Sequence, residues 1–315
     1  MLKISVVMAV YNGQKYLMAQ LRSLVQQTRL PDEILICDDC SQDNSEEIIK
    51  EFISNNRGIN IIFKKNSKNV GWRRNFIQGI NTVSGDVIFL SDQDDVWAQD
   101  KISVMTKIME IHKEINVLTS NLRPMYELHS KVRVSKSTLR NIGTSELSKV
   151  EINPKNYYIR RPGCTMCFRK TIVPWINYLW WDKQAHDSLI WEIGLFTSSL
   201  YIYNRELICQ RRHEDINTPL IKRTTADRYI SCDIFESSLT RLISAAQLLN
   251  LDEDTILSIK KHIKFCNARK SALEGKRIED AIKLFIWHRE YPQMRMLLTD
   301  IYVCAFHRKA VGEDK

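Results

Sequence analysis

The 315-residue chain, with 44% hydrophobic and 26% charged residues, holds enough apolar material for one large domain plus an appendage, which excludes wholesale disorder. Its 46 Lys+Arg against 37 Asp+Glu leave a formal charge of +9, which suits a phosphate-bearing ligand, nucleic acid or an anionic membrane surface without choosing among them. The first apolar run, Ile4 to Val10, lacks a basic leader, and the longest apolar-rich stretch, from Leu189, is interrupted by Glu192 and Gly194, so neither a secretory signal nor a spanning helix is expected.

Ile4 to Val10 reads as a strand ended by Asn12 and Gly13, followed by a helix with Leu17, Leu21, Leu24 and Val25 on one face. "EILICDD" is a second strand, and "NSEEIIKEFISNN" a second helix with acids in its first turn. "INIIFKK", "RRNFIQGINTV" and "DVIFLS" continue as strand, helix and strand. This βαβ series predicts a parallel sheet covered by helices on both faces. From Asn121 to Tyr157 polar residues dominate and a long loop is expected. "GCTMCFRK" reads as a strand, a Trp-rich segment follows, and a helix begins near His186; from about Asp227 the pattern is helical almost to the end. The chain thus divides into an α/β domain, residues 1–225, and a helical C-terminal region, 226–315.

Two C-x-x-C pairs, Cys37 with Cys40 and Cys164 with Cys167, raise a zinc site. The pairs lie far outside zinc-ribbon spacing and Cys37 ends an apolar strand, which favours reduced thiols in a cytosolic protein.

"VIFLSDQDDVW" runs an apolar strand straight into three carboxylates within four positions. Such groups repel one another, so a cation is expected beside them. Ligands of parallel sheets bind beyond the carboxyl ends of the strands, where this sequence gathers Tyr11 and Asn12, Asp38 and Asp39, and Asp92, Asp94 and Asp95. Hard divalent cations such as Mg2+ and Mn2+ take a few carboxylates together with phosphate oxygens, an arrangement that the D-x-D pair Asp92 and Asp94 can supply. Tyr11 ends the first strand with an aromatic face, Asp39 offers an acceptor, and Arg74 a fixed cation. Arg73 reads as a solvated helix residue, and Asp95 as a helix cap before "VWAQDKI".

In their order and spacing, "SVVMAVYNG", "ILICDDCSQDNS", "NVGWRRN", "GDVIFLSDQDDVW", "GCTMCFRK" and "AHDSLIW" resemble the family 2 glycosyltransferases, which use the nucleotide-sugar fold called GT-A. The resemblance covers residues 1 to about 215, and "SDQDDVW" with a later "HD" is similar to a bacterial branch rich in rhamnosyltransferases of surface polysaccharides. It implies a Rossmann-like, mostly parallel sheet and an inverting, metal-dependent transfer. The donor would be a nucleoside-diphosphate sugar, dTDP-rhamnose or a UDP-sugar, and the acceptor a glycan or lipid-linked sugar.

By the same resemblance Asp94 is the direct ligand of Mn2+ or Mg2+, with Asp92 nearer the ribose or sugar. Val10, Tyr11, Asp39, Arg74 and Gln93 join Asp92 in holding the nucleotide-sugar, and Asp187 is the catalytic base. His213 falls where related enzymes carry a histidine near the diphosphate or metal, but "CQRRHEDIN" departs from the commoner "YRQHGNN", and an exposed loop histidine is the alternative.

Two rivals follow from other features. A haloacid-dehalogenase-type phosphatase also uses an apolar strand followed by D-x-D, although its motif belongs on the first strand. A basic nucleic-acid-binding protein fits +9 and seven tryptophans, yet no ribonucleoprotein, helix-turn-helix or zinc-finger pattern accompanies them. In the tail, Leu284, Phe285, Trp287, Tyr291, Met294, Leu297, Leu298, Tyr302 and Phe306 alternate with basic residues. That pattern suits either peripheral contact with the inner face of the cell membrane or packing, on the catalytic domain or in a homodimer.

Overall fold

The computed structural model describes residues 1–128, 133–134, 136–213, 224–275 and 277–306. The chain forms two compact units: Met1–Val150 with Ile159–Gly194 and Ser198–Ile216, and Glu151–Tyr158 with Leu195–Thr197 and Asn217–Lys315.

The first unit opens with β1 (Ile4–Val10), α1 (Leu17–Val25), β2 (Glu33–Asp38), α2 (Ser45–Asn55), β3 (Ile61–Lys65), α3 (Trp72–Thr82) and β4 (Val87–Ser91). Every residue of β2 and β4 is buried, the mark of inner parallel strands covered on both faces. α3 packs closely on β1: a Cβ on Gly79 would come within 2.5 Å of Val7 Cγ1. The four strands pair in parallel with Val10 beside Asp38, Asp38 beside Lys65, and Met8 beside Ser91. The ends of β1, β2 and β3 are therefore level and β4 stops two residues short of them, so Tyr11, Asp39 and Asp92 leave the sheet along one edge.

The remaining elements of this unit are β5 (Val96–Trp97), α4 (Lys101–Ile111), β6 (Val117–Tyr126), the single turn α5 (Lys136–Leu139) and β7 (Leu147–Lys149). After α6 (Pro154–Tyr157), which belongs to the second unit, come β8 (Met166–Arg169), α7 (Val173–Leu179), α8 (His186–Phe196) and β9 (Leu200–Arg212). The sheet order is β3-β2-β1-β4-β8-β6-β9-β5, with β7 also on β9. β8 is antiparallel to both β4 and β6, which makes the sheet mixed but mostly parallel. The expected loop at Asn121–Tyr157 is a correction: β6 continues to Tyr126 along β9, and β7 pairs with β9. Parts of that stretch, 129–132 and 135, lie outside the described residues.

In the second unit are α9 (Thr225–Ser244), α10 (Glu253–Gly275), α11 (Ile278–Lys283), a 3-10 turn (Leu284–Trp287) and α12 (Met294–Phe306). A capping box of Thr224 and Asp227 starts α9. At its centre the fully buried Asp300 receives Arg228, Arg269 Nε at 2.7 Å and the Tyr291 hydroxyl at 2.7 Å. Removing one partner from such a knot costs about 3–5 kcal/mol, because the remaining charges stay buried without compensation. No helix among the described residues is long and apolar enough to cross a membrane.

Candidate active site

The edge where β1, β2 and β4 end is organised by side chains that hold backbone. The carbonyl of buried Val10 accepts the Asp39 amide at 2.8 Å. Tyr11 follows with its ring exposed, while its backbone is gripped by Gln93: Oε1 accepts from the Tyr11 amide and Nε2 donates to the Tyr11 carbonyl. Asn12 turns the chain at φ 49°, and its Oδ1 accepts the Gln42 amide at 2.8 Å.

Asp39 is buried and anchors the approach to α3. Its Oδ1 accepts from Val70 N at 2.8 Å and Asn66 Nδ2 at 2.9 Å, and its Oδ2 from Gly71 N at 2.8 Å. With roughly four acceptor positions on a carboxylate, about one remains, on Oδ2. Arg74, exposed on α3, donates from its single Nη2 to both oxygens of Asp182 at 2.5 and 2.6 Å, beside a pocket lined by Val70, Gly71, Trp72 and Arg73. Arg73 departs from its expected solvated state: it is half-buried, lies 4.5 Å from the Trp72 ring centroid, and its Nε is buried without a hydrogen bond.

Beyond β4 the acidic loop meets the far end of β9. Asp94 Oδ2 lies 2.8 Å from His213 Nε2, and His213 is 7% exposed, so it is not an exposed loop histidine. Arg211 fastens the pair, its amide donating to Asp95 Oδ1 and its Nε to the Asp94 carbonyl, both at 2.9 Å. Tyr16 completes the wall, with the Arg211 guanidinium 4.5 Å and the His213 ring 4.9 Å from its ring centroid.

Asp95 is not the expected cap, since α4 starts at Lys101 with Asp100 in the N-cap position. It is buried, its Oδ2 has no partner, and ligand atoms of Asp92, Asp95 and Cys164 all lie within 4.8 Å of one another. Burial, then repulsion from Asp94 and Asp187, raises the Asp92 carboxyl to about 7. Burial with repulsion from Asp92 and Asp94 raises Asp95 well above the carboxylate range. The internal counter-charge is Lys101, fully buried, its Nζ donating to the Cys164 carbonyl and 3.9 Å from the Trp97 ring centroid. Burial lowers its ammonium to about 8.

Asp187 stands in the first turn of α8, half-buried; its Oδ1 accepts the Ser188 amide at 2.8 Å and its Oδ2 the Gly163 amide at 3.2 Å. Gly163 permits this approach, because an added Cβ would sit 3.1 Å from Asp187 Cβ and 3.2 Å from His186 Nε2. His186 is buried and stacked on Phe76 at 4.1 Å; burial pushes its pKa down to about 4.

Sequence reasoning missed Lys101, Gly163 and Arg211, and raised Cys164 only as half of a zinc pair with Cys167. Only Lys101 carried a signal, a cation on the buried face shared by Ile102, Met105 and Met109. Both C-x-x-C pairs consist of free thiols, and Cys164 shares its carboxylate cluster with neither Cys37 nor Cys40. The D-x-D follows the fourth strand rather than the first. Two carboxylates, Asp92 and Asp95, crowd together with one buried oxygen unsatisfied, and an imidazole faces Asp94; these donors suit a hard divalent cation, whereas the Cys164 thiol in the same cluster does not.

A family model described as "Glycosyl transferase family 2" matches residues 5–172. The chain is similar to the dTDP-rhamnosyl transferase RfbG of Shigella flexneri, 28% identical over 221 residues that cover 66% of this chain and 72% of that one. It is also similar to the UDP-Glc:alpha-D-GlcNAc-diphosphoundecaprenol beta-1,3-glucosyltransferase WfgD of Escherichia coli, 24% identical over 82% of this chain and 94% of that one. Among solved structures, S. aureus TarS 1-349 in complex with UDP-GlcNAc has a TM-score of 0.63 at 18% identity, covering 97% of this chain and 82% of that chain. At that identity the likeness carries the fold alone.

Proposed function

The chain belongs to glycosyl transferase family 2, and from that premise we propose that it moves a sugar, with inversion, from a nucleoside-diphosphate donor to a hydroxyl of a glycan or lipid-linked acceptor in cell-surface polysaccharide synthesis. The names of its relatives favour a dTDP- or UDP-sugar and, through the diphosphoundecaprenol substrate of WfgD, a lipid-linked acceptor at the cytoplasmic face of the membrane. Residues 1–225 carry the transfer and 226–315 serve its location or assembly. The observation that carries the reading is the facing of Asp94 and His213 beyond β4, with Asp187 near enough to raise Asp92.

Tyr11 stacks on the base, and the free lone pair of Asp39 accepts from the base or ribose. Val10 and Gln93 hold Tyr11 in place. Arg74 exchanges Asp182 for diphosphate oxygens, a swap of one anionic acceptor for another at the same guanidinium nitrogen. Asp94 and His213 would hold Mn2+ or Mg2+ with Asp92 beside it, and the bound cation supplies Lewis-acid neutralisation of charge on the departing diphosphate. Asp187 takes the proton of the acceptor hydroxyl; the oxygen forms its bond to the anomeric carbon as the carbon–diphosphate bond breaks, its electron pair leaving with the diphosphate. Positive charge developing on the sugar gives the transition state oxocarbenium character.

The test is a panel of dTDP- and UDP-sugars with Mn2+ and membrane-extracted glycolipid, read as released nucleoside diphosphate. Acceptor-dependent release from one donor, abolished by EDTA, is expected. No turnover together with EDTA-insensitive binding of every nucleotide would overturn the proposal.

A further inference from the structure

We propose that the second unit carries a docking surface for an anionic lipid bilayer, made of the outward faces of α11, the 3-10 turn and α12. The inference deepens the transferase reading and rests on it for its purpose, which is to bring a lipid-linked acceptor to the enzyme.

The inward faces of these elements are settled by packing. Ala281 of α11 and Val303 and Cys304 of α12 join Leu273 in one buried cluster. The opposite faces remain in water although they are apolar. Ile282, Phe285 and Ile286 are 49%, 44% and 78% exposed, and Met294, Leu298 and Phe306 of α12 are 49%, 53% and 73% exposed. Exposed large side chains recurring four residues apart along two successive elements form stripes, which is not the scatter expected of an ordinary soluble surface.

The charges between the stripes decide the occupant. From Leu284 to Phe306 the sequence has two acids, Glu290 and Asp300, and the fold buries both. Asp300 is enclosed by Arg228, Arg269 and Tyr291; Glu290, 4% exposed, receives Lys261 at 2.6 Å and His262 at 3.0 Å. Arg289 and Arg295, at the bend between the stripes, are exposed, and no described acid lies within ion-pair reach of either. The sequence continues after Phe306 with Arg308 and Lys309. Burial of these two acids leaves the 3-10 turn and α12 an apolar surface with cations alone, while on α11 Glu279 stays exposed and Asp280 pairs with Lys283 at 2.8 Å. A two-fold contact with a second copy would bring like stripes and like cations together. An anionic headgroup layer over acyl chains matches both features.

The experiment uses the intact chain in co-sedimentation with phosphatidylcholine vesicles, with and without phosphatidylglycerol. Binding that requires phosphatidylglycerol and weakens with salt is expected. Ile286→Glu with Leu298→Glu should lower it at least about tenfold, and Arg289→Gln with Arg295→Gln should remove most of its salt dependence. Circular dichroism melting and calorimetric UDP or dTDP binding should stay unchanged in both variants. Wild-type protein that stays in the supernatant, or Ile286→Glu/Leu298→Glu protein that binds as wild type, overturns the surface even when nucleotide binding is intact. A dimer by light scattering that Ile286→Glu/Leu298→Glu dissociates, without vesicle binding, assigns the stripes to a second copy and also overturns it. Vesicle binding without any nucleotide binding would instead sink the transferase reading alone.

Discussion

Gln93 and Tyr11 form a closed two-point clamp: the Gln93 amide oxygen accepts from Tyr11 N at 2.8 Å and its nitrogen donates to Tyr11 O at 3.0 Å. The residue between the two D-x-D aspartates therefore ties the end of β1 to the end of β4. Gln93→Ala removes two partly exposed hydrogen bonds, roughly 1–2 kcal/mol. Donor affinity should weaken up to about tenfold with kcat little changed. Steady-state kinetics at saturating acceptor tests this; an unchanged KM for donor would detach Tyr11 from the nucleotide.

Asp94 and His213 come from positions 119 residues apart, and their meeting predicts a graded response to substitution. Asp94→Asn should abolish Mn2+-dependent nucleotide binding. His213→Gln should raise the Mn2+ concentration needed for half-maximal activity by about 10–100-fold. A metal titration followed by calorimetry distinguishes the two, and equal Mn2+ requirements in wild type and His213→Gln would remove the histidine from the site.

Asp187 is held by backbone amides of Gly163 and Ser188, so Asp187→Asn keeps its shape while losing its basicity. Turnover should fall by ~100-fold or more, with donor affinity within about threefold of wild type. Single-turnover transfer is the measurement, and wild-type rates in the variant would place the base elsewhere.

His186 supplies a pH prediction for stability. Its pKa is lowered from 6.5 to about 4, first by burial and further by Arg73, while Asp187 opposes the shift. A group depressed on folding contributes stability that is present above its unfolded pKa and lost as pH falls through its folded pKa. Wild type should therefore lose stability relative to His186→Phe between pH about 6.5 and 4, by roughly 3 kcal/mol at the acid end. Urea midpoints of both proteins across that window check it; parallel curves would show that the imidazole is not desolvated.

The first four strands were legible because each is a short apolar run at steady βα spacing, and the collection of Tyr11, Asp39 and Asp92 at one edge follows from that alone. β9 escaped notice because Asn204, Arg205 and Glu206 break its apolar pattern; the structure shows a register shift there, with Tyr203 opposite Ser120 and Glu206 opposite Asn121. Asp95 was misjudged for a different reason. Its hydrogen-bond partner Arg211 and its cluster neighbour Cys164 lie far along the chain, whereas a cap is the local role open to an Asp after a strand. Likewise in the tail, Leu284, Tyr291 and Leu297 are buried while Phe285, Met294 and Leu298 are exposed. Alternation showed that two faces exist, and only packing shows which one is covered.

β9 pairs with β5, β6 and β7, and residue separations along those ladders run from about 50 to more than 100. The β1–β2 and β2–β3 ladders close loops of 28 and 27 residues, whereas β1 and β4 pair across 83. Loop-closure entropy makes distant pairings slow to form, so the β1–β2–β3 edge that ends in Tyr11 and Asp39 can assemble early, Asp92 joins when β4 pairs with β1, and His213 arrives only when the last strand docks. Under the proposed metal role, competence for the cation would await assembly: a chain that has folded its first half displays the acidic loop, but it acquires the imidazole facing Asp94 only on completing the sheet.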